Sequence, residues 1–583
     1  MNKAQKMDNA LIDMILRYAS KKTAKIMFNV SKRINNMIVA NKGFYFNFGK
    51  MANFDKEYSS KSFYMCSNML KSIMLKYKRI IFGDDFNSYV NNLPSHITHI
   101  IFGKCFNKSV NNLPCCLKSL VLGNNFNKNV DKLPKSLQYL YLGNAFDKPI
   151  DNLPNVKTLI IGNSFNKYVM NLPQSIEYLE FGHDFNKPVD FLPKNIKYLI
   201  FGSLFNMPVD NLPNSIIYIR FDHNFNQSVD KLPYNLKHLY FGFSFNKPVD
   251  NLPPNIRKIR FGFHFDQSVD KLPENVEHLI FGAFFNKKTY KLPKKLVCIK
   301  YGYRYNQHTF NLPKSLKHIE FGTSYNLPVY GLSHNTNITH ISFGNNFNNK
   351  VDDLPASVTH LIFGKSFNQS VDNLPDSVVF LKFMGDFNRS VDKLPKNITY
   401  LRFKKFNQTI DKLPPNIKHL SLGDHFNRPV DNLPNKIKIL RFGKRFNQSI
   451  DKLPNSITYL RFGDDFNQSV DNLPINLRCL VFGNDFDQSV KKLPPNITLL
   501  AFGDNFNHSV NDLPKNIKCI IFGDNFRKYV NTLPNSIEHI SFGRNYNNMI
   551  TEYPSKLRTI TFENKNKYSL FCVPSHVIVN NCK

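Results

Sequence analysis

The chain has no run of about 18 consecutive apolar residues, the length a membrane-spanning helix needs, so a membrane partner is not expected. Its opening, MNKAQKMDNALIDMILRYASKK, is charged throughout and has no apolar segment followed by small residues, so the sequence predicts no secretory signal and an intracellular, cytoplasmic protein. Nine cysteines show no C-x-x-C pair and no ladder; Cys105, Cys115, Cys116, Cys298, Cys479 and Cys519 are scattered, as free thiols in a reducing compartment are. Acidic residues are scarce, 43 against 77 Lys and Arg, and the resulting net charge of +34 fits a polyanion binder. Abundant Asn, Lys, Ile, Phe and Tyr also point to AT-rich coding, which supplies much of that charge without a ligand. Catalytic apparatus is missing too. The recurrent Asp, as in Asp451 and Asp471, stands at every turn and is a turn residue, so neither an enzyme nor a cofactor is expected. The recurrent histidines, among them His340 and His360, have no accompanying carboxylate column, so no metal site is expected.

What is present is a repeat. LPNSITYLRFGDDFNQSVDN, from Leu453 to Asn472, is followed at Leu473 by LPINLRCLVFGNDFDQSVKK, with the hydrophobic positions in the same places. A period of about 20 residues is a solenoid period, and an array of this kind adds length without enlarging a central core. The pattern runs over residues 77–562, with one-residue deletions before Leu172 and Leu413 and extra residues around Ser333 to Asn337. Insertions in solenoids emerge as loops, often on a binding face, which marks that segment. Residues 1–39 read differently: Leu11, Ile12, Ile15, Leu16, Ile26, Met27, Val30, Ile34 and Ile38 recur at helical spacing. Residues 40–76 read as a connector covering the first coil, and 563–583 as a closing cap in which Ile578 and Val579 form a last strand.

Within one coil, Ile457, Leu460 and Phe462 make an I-x-x-L-x-F segment whose last part alternates, so a short strand with Leu460 and Phe462 inward is predicted. Gly463 permits a bend, Phe466, Val470 and Leu473 return inward, and Pro454 sets the next turn. The return path is too short and too rich in Asn and Pro for a helix, so an irregular or 3₁₀ arc is expected. A buried asparagine column, Asn388, Asn407, Asn427, Asn447 and Asn467, is expected to satisfy loop backbone in the neighbouring coil. The expected fold is mainly β, a parallel-sheet solenoid with one strand per coil at a spacing of roughly 4.8 Å, carrying a small α-helical N-terminal unit.

The string F-N-x-x-V-D-x-L-P-x-S-I-x-x-L-x-F-G resembles the FNIP repeat, a leucine-rich-repeat-like (LRR-like) unit of social amoebae and of giant DNA viruses that infect them. The resemblance covers more than four fifths of the chain. It departs from leucine-rich repeats in lacking their usual asparagine, with Phe466-Asn467 placed later instead, so a regular horseshoe curvature is not implied. Leu11-Ile12-x-x-Ile15-Leu16 and the later Val30-Ser31-Lys32-Arg33 are similar to an F-box, although its opening Leu-Pro is absent. The resemblance implies that Leu11, Ile15, Leu16 and Val30 contact a Skp1-like adaptor, that the solenoid presents a target protein to an SCF-type ubiquitin ligase, and that a viral member works in the host cytoplasm.

Alternation places two columns on the open face of the sheet. The first holds Tyr198, Tyr218, His238, His278, His318, His340, His360, Tyr400, His419 and Tyr459, and the second holds Arg220, Arg260, Arg402, Arg441 and Arg461. Three readings fit this face: Tyr and His stacking as cross-strand pairs with no ligand, a protein-docking surface rich in hot-spot residues, or a basic nucleic-acid platform. After the recurrent Asp, Asn and Lys alternate, as in Lys412, Asn432, Lys452, Asn472 and Lys492, which spaces like charges further apart than a Lys in every coil would.

Overall fold

The computed structural model describes residues 78–91, 93–563 and 573–581. The helical unit expected over residues 1–39 and the connector over 40–76 lie outside the described residues. Two units are present, one ending at Gln227 and one beginning at Ser228. The first carries strands β1 (Arg79–Ile81) to β8 (Tyr218–Arg220), and the second carries β9 (His238–Tyr240) to β26 (Ile578–Asn581). Among the described residues there is no helix; each coil is one short strand followed by turns. Within each unit the strands pair in parallel and in register, as in Tyr198↔Tyr218 of the first and Tyr459↔Cys479 of the second.

The strand forms where the sequence alternates. In Tyr459–Arg461 the central Leu460 is fully buried, and Ile457, Phe462, Phe466 and Val470 are buried with it. Burying each such side chain contributes about 1.5–3 kcal/mol. Phe462 and Phe466 stack at 3.7 Å within the coil, and each repeats upward, Phe442–Phe462 at 5.6 Å and Phe446–Phe466 at 6.0 Å. Two adjoining phenylalanine columns thus form the interior. Tyrosine enters these columns at Tyr301, Tyr305 and Tyr325. Threonine takes the neighbouring valine position at Thr289 and Thr309, both buried, and the Thr289 and Tyr301 hydroxyls are 3.3 Å apart. Tyr305 and Tyr325 bury their hydroxyls near Thr289 and Thr309 without closing a well-formed hydrogen bond.

Three details differ from the sequence reading. Among the described residues no glycine has a positive φ, so Gly463 is not required by the torsion of the bend. It is required by crowding, because a Cβ there would overlap the carbonyl of Gly443 one coil away. The asparagine column is half-buried or exposed, since it runs along the loop rim and not through the core. Its bonding is nevertheless regular: the Asn447 amide oxygen accepts from the Asn467 backbone N–H at 3.0 Å, and the Asn427 oxygen accepts from Asn447 at 3.0 Å. The extra residues around Ser333 to Asn337 are pinned to the preceding coil, with buried Asn335 donating to the Pro313 carbonyl at 2.8 Å and Asn337 donating to that of Lys314 at 2.7 Å. Register survives across them, His318 pairing with His340.

Deletions are absorbed in the turns. After Leu153 the turn closes through Val156 N–H to the Pro154 carbonyl at 2.7 Å, one residue tighter than Leu137 N–H to Pro134 at 3.1 Å. Phe403-Lys404-Lys405-Phe406 drops the glycine, yet its two rings still stack at 4.1 Å. The Lys/Asn alternation also serves the Asp column. Asn472 donates to Asp451 at 3.0 Å, while Lys492 lies 3.4 Å from Asp471 and Lys452 lies 3.7 Å from Asp431.

Candidate functional site

Each strand turns its first and third side chains away from the core, so stacking makes two outward columns. In the first unit Tyr178, Tyr198 and Tyr218 tilt against one another at 6.1 and 5.9 Å, Tyr198 is 41% exposed, and Arg220 stands beside them, exposed. In the second unit His238 and His278 are separated by Lys258 and do not adjoin; Arg260 shares the strand of Lys258. From β13 (His318–Glu320) onward the rings become continuous. His318–His340 are 4.3 Å apart, His340–His360 4.1 Å, His360–Phe380 5.4 Å, Phe380–Tyr400 4.3 Å and Tyr400–His419 6.0 Å. Ile439 ends the stack. Beyond it Tyr459 is only 7% exposed, with the Arg441 guanidinium over its ring at 5.1 Å, so Tyr459 belongs to the covered end of the face and not to its accessible part. Cys479 and Leu499, next in the column, are also buried.

A model of the FNIP repeat matches residues 129–204, 225–284, 350–386, 406–485, 486–525 and 529–565 in overlapping windows, more than half of the chain. The chain belongs to the FNIP repeat family. Among solved structures it is similar to CroV588, described as a circular LRR protein structure, at 31% identity over 88% of this chain and 97% of that one, with a TM-score of 0.74. It is also similar to YopM from Yersinia enterocolitica, at 14% identity over 92% of this chain and 98% of that one, with a TM-score of 0.36. No curated protein matches.

In these FNIP coils the histidines of the stack are held neutral. Burial, followed by the neighbouring His360 and His318, lowers the His340 pKa to about 4, and burial lowers His360. His318 and His419 are lowered by burial first and then by nearby cations such as Lys317 and Arg441. The tautomer follows from a residue pair, Thr before His, that the sequence reading passed over. Thr359 Oγ1 donates to the Thr339 carbonyl at 3.1 Å and lies 2.9 Å from His360 Nδ1. A hydroxyl has one proton, so the ring must donate from Nδ1 and keep Nε2 as an acceptor. Thr339 and His340 repeat the arrangement at 3.3 and 2.8 Å. His340 and His360, 4.1 Å apart and 11° from parallel, do not aim their ring nitrogens at one common point, as ligands of a single ion would.

Phe380 and Lys382 were also missed, although their places in the two columns are legible from spacing alone. So was a second aromatic cluster at the turns after the strand glycines. Phe243 and Phe263 stack at 4.6 Å, Phe263 and Phe284 lie 4.7 Å apart, and the Arg304 guanidinium sits 3.8 Å from the Phe284 ring centre. Most other coils carry Asn, Asp or Lys at those positions, which is the signal that was available. Leu11, Ile15, Leu16 and Val30 lie outside the described residues.

Proposed function

We propose that this FNIP protein is a recognition scaffold with no catalytic role, and that the open face of the parallel sheet in the second unit docks a protein. The observation that carries the reading is the unbroken ring stack from His318 to His419, half-exposed, rigid and flanked by Arg402 and Arg441. Aromatic side chains packed against one another lose little rotamer entropy on binding, and with Arg they dominate the hot spots of protein interfaces. On this reading the first unit adds Tyr198, Tyr218 and Arg220 as a docking patch of its own.

The finer proposal is a substrate receptor of an SCF-type ubiquitin ligase, with Leu11, Ile15, Leu16 and Val30 engaging a Skp1-like adaptor. A nucleic-acid scaffold is the alternative, favoured by the charge of +34. A photo-crosslinking residue placed at Tyr400, compared with one at Ile475 on an exposed turn, separates these readings. Protein adducts from position 400 and none from 475 support docking on the face. Adducts to nucleic acid alone, or equal protein adducts from both positions, overturn it. Recovery of a purified Skp1-type adaptor that is lost on Leu11→Asp with Leu16→Asp supports the ligase role, and no recovery removes it.

A further inference from the structure

Across the strands Phe380–Phe383, Tyr400–Arg402, His419–Ser421, Ile439–Arg441 and Tyr459–Arg461 the open face and its N-terminal rim carry Lys382, Arg402, Lys418, Lys438, Arg441 and Arg461. No Asp or Glu occupies any of those rim or outward positions. Elsewhere in the second unit some cations of the same columns are paired, Lys300 with Glu320 at 2.6 Å and Arg558 with Glu538 at 3.3 Å, so acidic residues do occur in these columns outside the patch. Among the described residues Lys382, Arg402, Lys418 and Lys438 have no carboxylate within ion-pair distance, and the nearby turn carboxylates Asp386 and Asp424 are already engaged by Lys405 and Lys404. Lys382 is crowded enough by burial and by Arg402 that its pKa is lowered.

The rings between these cations are presented edge-on. Phe380 has His360 against one face and Tyr400 against the other, 20° and 12° from parallel, so neither face of the ring is open. A nucleic-acid platform needs free ring faces for bases to stack on, and the ladder has used them. What remains is the ring edge, where the aromatic quadrupole is positive. Ring edges together with Lys382, Arg402, Lys418 and Lys438, which have no carboxylate within ion-pair distance among the described residues, favour carboxylates.

Resting on the docking reading above, we infer that the partner segment bound between Phe380 and Arg461 is an acidic peptide, rich in Glu or Asp. Five strands at a spacing of about 4.8 Å span roughly 19 Å, which an extended segment of about six residues covers. The test titrates the full chain into a fluorescein-labelled peptide of about eight residues, mostly Glu, and follows anisotropy, with an oligothymidylate of equal charge as competitor. Lys382→Glu with Arg402→Glu is expected to weaken binding at least tenfold. The milder Lys382→Gln with Arg402→Gln is expected to weaken it less, which guards against misfolding. Lys271→Glu with Lys492→Glu makes the same charge change on the loop rim, where both lysines already face Asp250 and Asp471, and is expected to change binding less than twofold. Equal loss in both double reversals, no binding of the peptide, or displacement by oligothymidylate at lower concentration than unlabelled peptide overturns the inference. If position 400 still crosslinks to a protein whose docked segment is neutral or basic, the docking face stands and the acidic partner falls.

Discussion

Replacing Phe466 with alanine tests the claim that each coil is held by its neighbours through the phenylalanine columns. Phe466 is fully buried, stacks on Phe462 at 3.7 Å and meets Phe446 and Phe486 at 6.0 and 6.1 Å. Removing a buried ring from such a setting costs about 3–5 kcal/mol. In a stacked array that loss falls on the mutated coil and its two interfaces, so a single unfolding free energy is the wrong measure. Hydrogen exchange read coil by coil is the right one. Opening of the strands Ile439–Arg441, Tyr459–Arg461 and Cys479–Val481 should become about a thousandfold more frequent, while Lys258–Arg260 should be unchanged. A change below tenfold, or one spread equally to Lys258–Arg260, would refute the nearest-neighbour argument.

The asparagine ladder predicts that Asn447→Leu costs about 1 kcal/mol by removing the acceptor for Asn467 N–H and for the Gln468 side chain, whereas Asn447→Asp is near neutral because Asp266 and Asp487 already serve in that column; chemical denaturation of both variants checks it. Thr289→Val should cost about 1–3 kcal/mol by orphaning the Tyr301 hydroxyl, and adding Tyr301→Phe should recover most of that in a double-mutant cycle; additive losses would mean the 3.3 Å contact does not couple. His340 titrates near 4 when folded and near 6.5 when unfolded, so the unfolded chain binds the extra proton between those values and stability falls as pH drops from 6.5 to 4. Discounted for the ring's exposure the loss is about 1 kcal/mol, and His340→Phe should flatten that part of a stability-against-pH profile.

The coil was legible because every rule pointed the same way. Alternation in Tyr459-Leu460-Arg461, the return of Phe466 and Val470, and the recurrent Leu-Pro each mark one position, and many similar copies average out local exceptions. What spacing could not supply was depth. The asparagines looked buried because their column is so regular, yet regularity here comes from hydrogen bonding along the rim. Tyr459 occupies the same strand position as Tyr400, but only the packing of Arg441 on its ring shows that it is covered. The first strand residues are legible as a column and illegible as a surface.

The stretch between residues 285 and 349 shows why departures from the repeat carry more meaning than its consensus. The family match is interrupted there, and Tyr301, Tyr305, Tyr325, Thr289, Thr309 and the extra residues near Asn335 all lie in it. Two departures meet a partner next door, the Thr289 hydroxyl opposite that of Tyr301 and the inserted Asn335 on the carbonyl of the coil before, whereas Tyr305 and Tyr325 bury hydroxyls that close no well-formed hydrogen bond. The strand register passes through all of them unshifted. The cations at Lys382 and Arg402 are a departure of another kind, since adjacent strands repeat the charge and no described neighbour answers it. A buried polar group left without a partner costs stability inside the coil, whereas a run of unanswered charge on the exposed face is open to compensation from outside the chain, as the acidic-peptide inference requires.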